Sequence, residues 1–314
     1  GLSAEVRLAD DCFMQVCGVV FDADVRVRAK ACSLLGDIPG VSPQYLVQTL
    51  SKRVLTSEQL EDVQQSAAEA EGDFCVSSGS LLSADAAGAF VVGLEDEFWE
   101  VRTAAIGSIG RLARRSRVFR DKAGDVLVDM LSDEIEAVRM AAIASLAHLR
   151  KHLELSEEHL QVVLSLLEDV SEQLRRGVHA LLGSIPLNTP AALHVTVRAL
   201  LVNVHRYPPD THHVYRCLAR LGVNLSALAE EVTPKLLSVN TPYLTSEADM
   251  DDPTYVGILV LVLSAASVNP HVLSLVPSHC LRHWRCLRER APLFAPRITV
   301  HAIGGTLLEY THPP

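Results

Sequence analysis

Aromatic residues are scarce in this 314-residue chain, with 7 Phe, 6 Tyr and 2 Trp. The apolar weight falls on Leu, Val and Ala, which favours helices over a β-sandwich core. A basic surplus is also missing. Lys plus Arg number 28 against 38 Asp plus Glu, a formal charge of −10. Bulk attraction to phosphate backbones is therefore not expected, and any RNA contact must be indirect or use a local basic patch. No apolar run is long enough for a bilayer. The most apolar stretch, Tyr255 to Val268, stops at Asn269-Pro270, so no membrane is expected. The seven cysteines, at 12, 17, 32, 75, 217, 280 and 286, are odd in number, and most lie in apolar helical patterns. They read as reduced thiols rather than a disulfide framework. No signal peptide is visible, and the chain opens with Gly-Leu rather than Met; we read it as a fragment of a longer protein. With 48% hydrophobic and 21% charged residues, it is apolar enough to fold.

Signatures of catalysis are absent as well. There is no Gly-x-Gly-x-x-Gly and no P-loop, hence no phosphate cradle of the usual kinds. Gly107-Ser108-Ile109-Gly110 lacks the nucleophile-elbow spacing and falls inside a helical pattern, where glycine lets helices approach closely. His279, Cys280, His283 and Cys286 come nearest to a metal set, yet no second Cys pair or carboxylate stands at zinc-ligand spacing. Asp249, Asp251 and Asp252 are too few for an EF-hand loop and read as helix caps. His212-His213 receives no role. We expect no catalytic residue, no metal and no cofactor: the chain is not read as an enzyme.

What is present is a repeat. Four segments share an Asp, then an aliphatic-Arg pair five residues on, then small or aliphatic residues at the next helical turns. They are Asp22 with Val27-Arg28, Ala31 and Leu35; Asp96 with Val101-Arg102, Ala105 and Ile109; Asp133 with Val138-Arg139, Ala142 and Leu146; Asp169 with Leu174-Arg175, Val178 and Leu182. The Asp residues are 74, 37 and 36 positions apart, the first gap being two periods. Aliphatic or aromatic residues also stand two and six positions before each Asp, on one helix face. Each unit therefore reads as two amphipathic helices joined by a turn at the Asp. The repeated Arg lies about 100° round the helix from the buried aliphatic. From there it can reach the Asp of a neighbouring unit, and a structural ladder is preferred to a ligand contact.

Paired helices carrying Asp-x4-Val-Arg-x2-Ala-x3-Leu resemble HEAT repeats. The expected fold is all-α, an α-solenoid of HEAT-like hairpins. Its parts are N-terminal repeats over 1–53, a flexible insertion over 54–83, regular repeats over 84–186, degenerate helical repeats over 187–290 and an irregular tail over 291–314. Pro43 to Arg53 is expected to be a helix, and the insertion to be helical over Ser57 to Ala70 and mobile beyond. Asp252-Pro253 places a cap and an N1 proline before a helix over Thr254 to Val268, apolar nearly all round and so covered on most sides. Leu281 to Arg290 reads as a short basic helix.

One charge contrast stands out. Arg111, Arg114, Arg115, Arg117, Arg120 and Lys122 fall within twelve residues beside one acid, Asp121. This run can be a polyanion site for RNA backbone or a highly phosphorylated small molecule, or a solvated edge between repeats. Arg282, Arg285, Arg288 and Arg290 form a weaker second cluster.

Several segments resemble the Integrator subunit 4 family. They are residues 88 to 102 (GAFVVGLEDEFWEVR), 127 to 139 (LVDMLSDEIEAVR) and 248 to 263 (ADMDDPTYVGILVLVL), followed by Arg282-His283. The first two are partly generic repeat sequence; the third is not. The likeness covers roughly residues 5 to 290. It implies a nuclear scaffold that joins subunit 11, a zinc-dependent RNA endonuclease, and subunit 9, its inactive partner, along with other subunits of the complex. That assembly trims small nuclear RNA 3′ ends and cleaves RNA polymerase II transcripts. The resemblance also implies inositol hexakisphosphate at a subunit interface, without assigning it to residues here. An adaptor in transport or trafficking, sharing only the generic repeat, is the alternative.

Overall fold

The computed structural model describes residues 7–71, 86–150, 152–237, 249–290 and 294. Among the described residues every regular element is helical. Residues 72–83 of the expected insertion, Cys75, and the tail over 291–314 apart from Phe294 lie outside them. The chain divides into two compact units, Gly1–Leu153 and Glu154–Pro314.

In the first unit, α1 (Leu8–Val19) and α2 (Val25–Leu35) form a hairpin, followed by α3 (Pro43–Gln48) and α4 (Ser57–Glu71). Two further hairpins are α5 (Ala89–Leu94) with α6 (Trp99–Arg115) and α7 (Arg117–Asp129) with α8 (Glu136–Leu149). The second helices stack directly, α2 on α6 and α6 on α8. The doubled spacing between Asp22 and Asp96 thus holds no intervening repeat in that layer. The extra chain turns aside, and α3 and α4 pack on α7, where Val47, Val63, Ala67 and Val118 bury one another. The helix expected over Pro43 to Arg53 ends earlier, at Gln48. The cause is the buried Gln48 side chain, which donates to the carbonyls of Ser51 and Arg53 and accepts from the Leu55 N–H. It organises a turn where the helix would have continued.

The repeated apolar positions behave alike. Val101, Val138 and Leu174 are fully buried, as are Leu35, Ile109, Leu146 and Leu182. Val27 departs from this pattern at 37% exposure. It lines an open apolar groove of about 490 Å³ with Val16, Val19, Ala31 and Leu34. No described helix covers that face of the first hairpin.

The second unit continues the pattern with α9 (Glu157–Ser165), α10 (Glu172–Leu182), α11 (Pro190–Arg206), α12 (Thr211–Asn224), α13 (Ser226–Leu236), α14 (Pro253–Ala266), α15 (Pro270–Leu275) and α16 (Ser278–Arg290). Here α10 packs on α12 and α12 on α14. Asp252 caps α14, accepting from the N–H groups of Thr254 and Tyr255, with Pro253 at the first position. The apolar α14 is enclosed by α11, α12, α13, α15 and α16, so its cover comes from within the unit. The α12–α14 contact requires Gly222. A Cβ there would stand 2.3 Å from the Leu261 carbonyl oxygen, and only glycine allows the two backbones to touch.

Candidate binding surfaces

Each repeat turn shares two contacts, to which at least three of the four arginines add a third. The Asp carboxylate accepts the backbone N–H two residues on: Asp22 from Asp24, Asp96 from Phe98, Asp133 from Ile135 and Asp169 from Ser171. The Arg six positions after each Asp then reaches back with Nη1 to two turn carbonyls. Arg28 donates to Asp22 and Ala23, Arg102 to Asp96 and Glu97, Arg139 to Asp133 and Glu134, and Arg175 to Asp169 and Val170. In Arg28, Arg102 and Arg175 the other edge of the guanidinium meets a carboxylate further along the chain. Arg28 binds Asp96 through Nε at 2.6 Å and Nη2 at 3.1 Å, and Arg102 pairs with Asp133, donating from Nη2 at 3.1 Å with Nε 2.8 Å from the other carboxylate oxygen. Such bidentate geometry suits arginine and not lysine.

Burial pushes the Asp96 carboxyl up. The Arg28 hydrogen bonds, the Phe98 N–H and the charges of Arg28 and Arg102 outweigh that and hold it below the usual carboxylate range. Arg175 extends the series to a residue that the sequence pattern had not exposed. Its guanidinium grips Asp210, with Nε at 2.5 Å and Nη2 at 3.2 Å. The Tyr207 ring lies 3.6 Å from the guanidinium carbon. Beside this pair, buried His179 shares a 2.9 Å hydrogen bond with Asn203, which donates to the Leu167 carbonyl. Burial pushes His179 down to about 4.

The basic run is divided by the fold. Arg111 pairs with Asp37 and donates to the Ser33 carbonyl, and Arg115 donates to the Gly36 carbonyl. Both tie α6 to the C-terminal end of α2, where exposed carbonyls attract cations. Arg114, Arg117 and Lys122 are exposed and Arg120 is half-buried. Arg117 and Lys122 share a pocket of about 410 Å³ with Ser66, Glu69 and Asp121, so two acids sit among those cations.

Among the described residues no three His, Cys, Asp or Glu side chains gather as a metal site. His283 Nδ1 stands 2.8 Å from the Tyr255 hydroxyl, and Cys280 is buried. Asp249 accepts the Asp251 N–H. On α16, Arg282 and Arg285 are exposed, while Arg288 lies 5.3 Å from the Trp284 ring; the Arg290 side chain is outside the described residues. Burial raises the Cys32 and Cys217 thiols to about 12, which leaves them unreactive. No described helix is long and apolar enough to cross a membrane.

The HEAT repeats family matches residues 88–182, the run from the residue before α5 to the end of α10. Integrator complex subunit 4 of Xenopus laevis is 36% identical to this chain over 95% of its length. The chain is a relative of Integrator complex subunit 4. The human subunit is 36% identical over 94% of the chain, and that of Drosophila melanogaster 34% over 98%. The chain spans about a third of the length of these relatives, 33%, 32% and 32% in turn. Its fold is accordingly an all-α solenoid of HEAT-like hairpins.

Proposed function

We propose that this chain is a non-catalytic scaffold segment of the Integrator complex, acting in the nucleus. There it supports the endonuclease of subunits 9 and 11 in small nuclear RNA 3′-end processing and in cleavage of RNA polymerase II transcripts. The observation that carries this reading is the similarity to subunit 4 along 94–98% of the chain. The repeat architecture supports it, because stacked hairpins offer long faces to extended partners. The test is co-purification from nuclear extract with the full-length protein that contains this segment. Recovery of subunits 9 and 11 is the expected result. Their absence, with transport or trafficking factors recovered instead, would mark an adaptor of another assembly. RNA cleavage by the purified chain with metal would overturn the non-catalytic reading.

We also propose a polyanion contact, to RNA backbone or inositol hexakisphosphate, on the basic run. Arg114, Arg117, Arg120 and Lys122 are its bearers, since Arg111 and Arg115 serve α2. Reversing Arg114 and Arg117 to Glu should abolish salt-sensitive binding of either ligand; unaltered binding rejects the site.

A further inference from the structure

The turns of the first unit form a continuous edge with its own chemistry. Arg28 touches the turn carbonyls of Asp22 and Ala23, the Asp96 carboxylate and, at 5.8 Å, the Phe98 ring. Arg102 likewise joins the turn at Asp96 to the turn at Asp133. The three turns, residues 21–24, 95–100 and 132–136, therefore lie in one row. They carry two, four and three acids and no base. Arg26, Lys52, Arg28 and Arg102 pair with Asp24, Glu95, Asp96 and Asp133. Asp22, Glu97, Glu100 and Glu134 make no ion pair among the described residues, and all four are exposed. Between them stand large rings left in solvent, Phe21 at 54%, Phe98 at 42% and Trp99 at 43% exposure.

Carboxylates beside exposed aromatic faces suit one kind of occupant. Lys and Arg ion-pair with the former and stack on the latter, and aromatic residues are enriched in protein–protein interfaces. RNA is repelled by the sign of the charge. The basic run does not cancel it, because α6 spans 17 residues, or about 25 Å at 1.5 Å per residue, more than two Debye lengths at physiological salt. Neighbouring helices pack about 10 Å apart, so three turns cover about 20 Å, the reach of about six extended residues. We propose that this edge docks an extended basic segment of a partner protein, with cations about three residues apart and apolar side chains between them. The proposal does not depend on the Integrator assignment.

A fluorescein-labelled peptide of repeating Arg-Leu-Ser, titrated with the purified chain and followed by anisotropy, tests it. The triple variant E97K/E100K/E134K should weaken binding at least tenfold and F21S/F98S at least threefold, while R114E/R117E at the junction of α6 and α7 changes it less than twofold. Circular dichroism verifies the fold of each variant. Should the triple variant lose helix, E97Q/E134Q replaces it, with a threefold loss expected. Absence of binding by the unaltered chain overturns the proposal, as does equal affinity of the charge variants. An F21S/F98S variant that binds normally also overturns it, since it would reduce the effect to bulk attraction.

Discussion

The two units use the same arginine clamp but finish it differently. In the first, Asp96 and Asp133 stand at the solvent edge with side-chain exposures of 6% and 9%, amid acids without ion pairs. In the second, Asp210 is completely enclosed, the Arg175 guanidinium carbon lies over the Tyr207 ring, and the flanking acids Glu168 and Glu172 pair with Arg206 and Arg176. The first unit leaves a charged, aromatic edge facing outward; the second pairs its flanking acids and encloses the rung itself. A structural rung can thus be kept while the surface around it is turned to binding or sealed.

That contrast can be broken from its deepest point. Asp210→Ala strands the buried Arg175 charge and should cost about 3–5 kcal/mol in urea unfolding; a loss below about 1 kcal/mol would mean that the pair is not sealed. The neighbouring histidine supplies the next largest effect. His179 is near 6.5 when unfolded and is pushed down to about 4 when folded, so its stabilising neutral form is fully present above pH 6.5. As pH falls the unfolded state binds the proton first, and stability drops by roughly 3 kcal/mol on reaching pH 4. His179→Gln should remove that part of the slope, and pH profiles parallel to the unaltered protein would refute it. In the more open first unit, Asp96→Ala should cost less, about 2 kcal/mol. A cost equal to that of Asp210→Ala would erase the difference between the units.

Much of this was legible because periodicity reports burial. The 36–37 residue spacing, the Asp and the following aliphatic-Arg pair lead to the hairpins and their turns, and Asp252-Pro253 marks the start of α14. Asp210 was not legible. It lies 41 positions after Asp169, within Tyr-Pro-Pro-Asp instead of Leu-x-Asp. The only signal was Arg175, a fourth arginine that needed a carboxylate one period on. Val27 misleads for a related reason, since its position in the repeat requires a neighbour that no described helix provides. The basic run misleads through chain proximity. Six cations close in sequence are split by the fold between the α2 carbonyls and solvent, and Glu69 joins them from α4.

In the first unit Arg28 and Arg102 bolt each turn to the next. A double-mutant cycle on Arg28 and Asp96, with Arg28→Ala, Asp96→Ala and the pair of changes followed by urea unfolding, isolates that bolt from everything else the two residues do. Coupling of about 1–3 kcal/mol is the predicted result. Additive losses, with coupling indistinguishable from zero, would contradict it.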